Sequence, residues 1–247
     1  MKRFIAEVWF WFAFLYETAT KRRLRVLVRG RLRGARVVVR GLDSVPRSGS
    51  FVIAVNHYKN STTLHVIASV FAGLADARPE VLDHAVIVAG RRVPPRISRI
   101  AGAVRRLVAL VVERWDRHLI HIPLGDTALD LGALRAFRDR ATKHPTLVFP
   151  EGKTNAEFGE VRVGAGRFLA LMPVPTVPVG VFEDNGVWVV SFGPPMTWSR
   201  RRELSDVQLG MAIAALLPKA VAPEWQRLLG DWRSAHAAAQ EMTTLSA

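Results

Sequence analysis

Phe51-Val52-Ile53-Ala54-Val55-Asn56-His57 is the stretch on which the fold turns. Five apolar residues without a polar interruption have strand length rather than helix length. A strand that is apolar on both faces belongs in the interior of a sheet covered on both sides. Gly41 to Ser50 (GLDSVPRSGS), just before it, carries the glycine, proline and serine punctuation of a loop, and Ala35 to Arg40 before that reads as a strand. Beyond His57, Ser61-Thr62-Thr63 is placed to cap a helix through Leu64, Val66, Ile67 and Val70. His57 therefore falls between the carboxyl end of a strand and the amino end of a helix.

The pattern repeats along the chain. Ala85 to Ala89, Leu119 to Leu124, Thr146 to Phe149, Thr176 to Val181 and Val187 to Phe192 read as strands, and Ile100 to Val112 and Ala128 to Thr142 as helices. From Trp198 onward helices are expected, ending in an Ala-rich segment and a polar tail. Strands alternating with helices define an α/β fold: a layered mixed sheet flanked by helices, preceded by an N-terminal interfacial helix. Two parts are expected, a membrane-associating segment over 1–34 and one α/β domain over 35–247.

With 247 residues, 49% hydrophobic and 23% charged, the chain is long enough to bury one full core. It has no cysteine, which rules out a disulfide framework, a thiolate metal site and a cysteine nucleophile. The formal net charge of +14 attracts polyanions, whether nucleic acid, anionic lipid or acidic carrier proteins.

The placement of that charge is more informative than its sum. Lys21 to Arg40 holds nine basic residues and no acid, directly behind the aromatic run Val8-Trp9-Phe10-Trp11-Phe12-Ala13-Phe14-Leu15-Tyr16. That run is short of the ~20 apolar residues a spanning helix needs. Aromatic rings at headgroup depth and basic residues over an anionic leaflet would hold the protein peripherally or monotopically, and the cytoplasmic face of the membrane is expected. A core helix with a solvated basic face is the competing reading.

Ligand crevices in open α/β sheets lie beyond the carboxyl ends of the strands. Two polar clusters fall at such ends, Asn56 to Thr63 (NHYKNSTT) and Phe149 to Asn155 (FPEGKTN). A histidine there can take the proton of a hydroxyl as it attacks a thioester carbonyl. Glu151 sits on a tight turn, and Lys153, Thr154 and Asn155 supply donors for a polar headgroup. No Gly-x-Ser-x-Gly elbow is present, and His118 and His121 lack the other ligands of a zinc motif, so neither a covalent serine mechanism nor a metal is expected.

The order Val38 to Gly41, Val45-Pro46, Val52 to His57, Phe149 to Gly152, Gly164-Ala165-Gly166 and Val174 to Val179 resembles the 1-acylglycerol-3-phosphate acyltransferases of the PlsC type, from about residue 35 to about 220. In that family Asn-His is followed after four residues by an Asp that orients the His base, and Phe-Pro-Glu-Gly and a Pro-rich strand come later. Asn56, His57, Phe149, Pro150, Glu151, Gly152 and Pro178 match. The resemblance implies His57 as general base, with Asn56, Glu151, Gly152, Lys153 and Thr154 around the acceptor. It implies no cofactor, with acyl-CoA or acyl carrier protein thioester as co-substrate.

The chain departs from the family pattern twice. Thr62 stands where the Asp belongs; its hydroxyl can fix the imidazole tautomer but cannot stabilise an imidazolium with charge. Asp126 stands near the position of an Arg that binds the acceptor phosphate, which favours a neutral or cationic lipid-like acceptor. The expected partners are thus an acyl thioester donor, a lipid-like acceptor and an anionic membrane surface, with no specific nucleic acid. Two alternatives remain: a catalytically impaired homologue that binds acyl lipid or membrane, and a basic nucleic-acid-binding protein.

Overall fold

A computed structural model describes residues 23–59, 62–91, 119–123, 131–153 and 155–231. In chain order the elements are α1 (Arg23–Arg31), β1 (Arg36–Arg40), β2 (Val52–Val55), α2 (Thr63–Ala77), α3 (Val81–His84), β3 (Val86–Arg91), β4 (Leu119–Pro123), α4 (Leu131–Ala141), β5 (Thr146–Val148), α5 (Ala165–Ala170), β6 (Thr176–Asp184), β7 (Val187–Phe192) and α6 (Ser205–Ala214). A further helix, α7, spans 223–231. The expected strands are all present, with ends moved by a few residues, and the longest extension carries β6 on to Asp184.

The strands form a seven-stranded mixed sheet in the order β1-β7-β6-β2-β5-β3-β4. β2 runs parallel to both of its neighbours, β5 and β6, and β7 is antiparallel to β6. All four residues of β2 are buried, which accounts for its unbroken apolar sequence. Chain connections leave the adjacent strands β2 and β5 in opposite directions, towards β3 and towards β6. The two polar clusters follow the carboxyl ends of these adjacent strands.

Side-chain alternation separates two helix layers. Trp188 stacks on His65 of α2, and Phe192 lies beside Gly73 of the same helix, so this face of β7 is covered by α2. Gly180 on β6 presents the opposite face, where a Cβ would lie 2.8 Å from Leu216 just beyond α6. The absent side chain lets the backbone after α6 close on the sheet.

The N-terminal part joins the same core. Leu24 and Leu27 of α1 are buried in the common core, and α1 packs on α2 and α3. Arg25 forms a two-pronged ion pair with Asp83 of α3, with N···O distances of 2.9 and 2.8 Å. Both partners are well exposed, so the pair adds little, whereas each buried leucine contributes about 1.5–3 kcal/mol. Residues 23–31 therefore pack into the α/β body. The aromatic run over 8–16, the helical pattern over 100–112 and the tail over 232–247 lie outside the described residues. Among the described residues no helix is long and apolar enough to cross a membrane.

If α1 is a core helix, Leu27→Ala should lower unfolding stability by about 2–5 kcal/mol through transfer and cavity terms. Urea titration without detergent or lipid measures this directly. A change below about 0.5 kcal/mol, typical of a surface position, would contradict the packing.

Candidate functional site

The site begins where β2 stops. β6 continues past the end of β2, leaving the N–H and C=O of Val181 facing a position with no strand backbone. Asn56 fills it: Nδ2 donates to Val181 O at 2.9 Å and Oδ1 accepts from Val181 N at 2.7 Å. A primary amide offers a donor and an acceptor side by side, the same pair that a strand would present. Asn56 is almost completely buried. It is thus the last rung of the sheet, a role the sequence reading, which placed it around the acceptor, did not include.

The next residue leaves the sheet and joins the two clusters. His57 N–H donates to Glu151 Oε2 at 2.5 Å, linking the two polar clusters across 94 positions of sequence. The imidazole stacks on Phe149, with ring centroids 4.1 Å apart and an interplanar angle of 23°. Its Nε2 lies 3.0 Å from Thr63 Oγ1 at the start of α2. The backbone of the two clusters also pairs directly: Lys59 N–H donates to Asn155 O at 3.0 Å, beside a Tyr58–Asn155 bridge.

The structure corrects the role expected of Thr62. It sits at the N-cap position of α2, yet its hydroxyl donates to the carbonyls of Tyr58 and Lys59 and makes no cap bond. The hydroxyl that reaches the imidazole belongs to Thr63, one residue later. Sequence alone signalled this only weakly, through two adjacent threonines at a helix start. Lys59, a non-glycine residue with φ of 47°, takes up the tight reversal between strand end and helix.

Glu151 likewise has a role that the sequence reading did not include. Its carboxylate is buried, with Oε2 accepting from His57 N–H and Oε1 accepting from Gly159 N–H at 3.0 Å and Asn155 Nδ2 at 3.1 Å. It ties the end of β2 to the loop over 155–159. Burial raises its pKa above the ordinary 4.5, against the opposing pull of its N–H donors and the Lys153 charge. A Cβ on Gly159 would lie 2.8 Å from Asn155 Nδ2, so any larger residue there would displace the Asn155 amide from Glu151. Trp225 of α7 donates to Gly159 O at 2.8 Å and holds the loop from outside. Gly159 and Trp225 were not found from sequence, where nothing connects them to the Phe-Pro-Glu-Gly turn.

Gly152 closes that turn with a φ of 66° and an N–H bond to Phe149 O at 3.1 Å. Lys153 is exposed beside it. Thr154 and Asp126 lie outside the described residues, as does His118. A cleft of about 310 Å³ adjoins the loop, sharing Asn155 and Gly159 with the Glu151 network. No group of three or more metal-ligating side chains occurs among the described residues.

No family model matches the chain, and no curated protein does. Among solved structures, it is similar to the crystal structure of the 1-acyl-sn-glycerophosphate (LPA) acyltransferase PlsC from Thermotoga maritima. The two share 16% identity with a TM-score of 0.55, over 87% of this chain and 91% of that one. The α/β fold, a mixed sheet with flanking helices, is thus the fold of that acyltransferase.

Two substitutions test the scaffold. Asn56→Ala leaves both polar groups of Val181 unpaired and should cost about 2–5 kcal/mol in urea titration. A loss within 0.5 kcal/mol would show that the rung is dispensable. Glu151→Gln turns an N–H towards one of the three donors and should cost about 1–3 kcal/mol. Because folding raises the Glu151 pKa, its contribution to stability is greatest below 4.5 and falls as pH rises until the folded group ionises. The melting temperature of wild type relative to Glu151→Gln should decline over that interval; a difference independent of pH would contradict the raised pKa.

Proposed function

We propose that this chain is a membrane-associated acyltransferase that moves a fatty acyl group from acyl-CoA or acyl carrier protein to a hydroxyl of a lipid-like acceptor. The observation that carries the reading is the assembly around one imidazole of two clusters distant in sequence, beyond the carboxyl ends of β2 and β5. The fold shared with a lysophosphatidic acid acyltransferase supports the same class.

His57 is the general base. As the acceptor oxygen bonds to the thioester carbonyl carbon, its proton passes to the imidazole. The tetrahedral intermediate then collapses, the C–S bond breaks, and the imidazolium returns the proton to the leaving thiolate. Phe149 stacks on the ring, Glu151 holds the backbone that carries it, and Thr63 Oγ1 meets Nε2. Such positioning lowers the entropy lost on reaching the transition state. The negative charge of Asp126 disfavours a phosphorylated acceptor, and Lys153 supplies a donor for a polar headgroup. The aromatic run over 8–16 and the basic residues behind it attach the chain to the cytoplasmic face of an anionic membrane.

A second reading is a relative that binds acyl lipid without turnover, and one observation favours it: the group on Nε2 is a hydroxyl, which cannot share the positive charge of an imidazolium. Thiol release from acyl-CoA and acyl carrier protein thioesters, with neutral, zwitterionic and phosphorylated lyso-lipid acceptors, separates the two. Turnover should fall roughly 100- to 10,000-fold in His57→Ala. It should fall about tenfold in Thr63→Val, mainly in kcat, for one lost orienting hydrogen bond. No turnover with any donor would favour the binding relative, and lysophosphatidic acid as best acceptor would contradict the role given to Asp126.

A further inference from the structure

Six large apolar side chains are exposed among the described residues, and four of them, Val163, Leu171, Leu204 and Val207, belong to α5, α6 and the turns that lead into them. Val163 is 94% exposed. These segments are in direct contact. Asp206 of α6 accepts hydrogen bonds from Gly164 and Gly166 N–H at the start of α5, at 2.8 and 2.6 Å. Arg202 donates to Ala170 O at the end of α5, at 2.9 Å. A Cβ on Gly166 would lie 2.3 Å from Ser205 O, so the two helices meet backbone to backbone.

α6 is unusual for a surface helix because its outer side is apolar too. It buries Leu209, Ile213 and Ala214 and turns Val207 outward one helical turn after exposed Leu204, with half-buried Met211 a turn further on. Its polar residues do not compensate. Asp206 is bonded inward to α5, and Gln208 accepts from Ser199 N–H at 3.0 Å. A helix apolar around most of its circumference requires cover on both sides.

The charges around the patch are complementary to an anionic cover. Arg162, Arg167, Arg200, Arg201 and Arg202 are all exposed on these same segments, against Glu160 and Glu203. Protruding aliphatic side chains among arginines match the boundary between acyl chains and anionic headgroups. The Arg162 N–H donates to Pro150 O at 2.9 Å, so the patch starts beside the turn that carries Glu151.

We infer that α5, the 202–204 turn and α6 form a bilayer-docking surface on the α/β body, with Val163, Leu171, Leu204 and Val207 entering an anionic leaflet. This surface is separate from the N-terminal segment and stands whether or not the site transfers acyl groups.

The chain has no cysteine, so a polarity-sensitive fluorophore can be placed uniquely at Val207→Cys or Leu204→Cys, with Ala77→Cys in the other helix layer as control. The full chain is added to vesicles of phosphatidylcholine and phosphatidylglycerol, part of the lipid brominated, and co-sedimentation is followed in parallel. Labels at 207 and 204 should shift to the blue and be quenched by bromine, while the label at 77 stays in water. Arg201→Gln and Arg167→Gln should each lower partition onto these vesicles about five-fold. The inference is overturned if the protein sediments with vesicles while both patch labels remain in water, or if no binding occurs. It is equally overturned if the labels are shielded without lipid, by self-association at rising protein concentration or by an acidic carrier protein.

Discussion

The site depends on one buried carboxylate. Glu151 is removed from water at a desolvation cost of several kcal/mol, and it is tolerated because three N–H donors converge on its two oxygens. One donor comes from the end of β2 and two from the loop over 155–159 that Trp225 holds. The carboxylate thus joins strand end and loop beside the direct Lys59–Asn155 backbone bond. The His57 ring position follows from this, since its backbone is fixed by Glu151 and its faces by Phe149.

Sheet topology determines where such a brace can act. β2 ends early, β6 runs on, and Asn56 completes the ladder with its side chain so that the backbone is free to leave the sheet at the next residue. The chain then reverses through Lys59 and enters α2, whose first residue carries the hydroxyl that meets the imidazole. Sheet end and helix start therefore both bear on the one imidazole. This arrangement suits a base whose proton transfer requires alignment within a few tenths of an ångström.

Much of the fold was legible in the sequence because buried strands have a distinctive composition. The run Phe51 to Val55 could only be a covered strand, and its end located His57. The two clusters were also legible as chemistry at strand ends. Their internal roles were not. Asn56 and Glu151 are polar residues near a base and read as substrate contacts, but each is buried on backbone partners, Val181 and Gly159, that no local pattern connects to them. Thr62 and Thr63 differ only in which way the first helical turn points them, and local carbonyls capture the first hydroxyl. At the N-terminus the arginines dominated the reading, whereas Leu24 and Leu27 decide the packing of α1.

The most direct test is amide hydrogen exchange at His57, followed by NMR in the wild type and in Glu151→Gln. The account predicts slow exchange in the wild type, comparable to the amides of Val177 and Val179 in β6, and a selective loss of protection at His57 in the variant while β6 keeps its own. Exchange at His57 as fast as in an open loop, or protection unchanged by the substitution, would contradict a site organised by the Glu151 carboxylate.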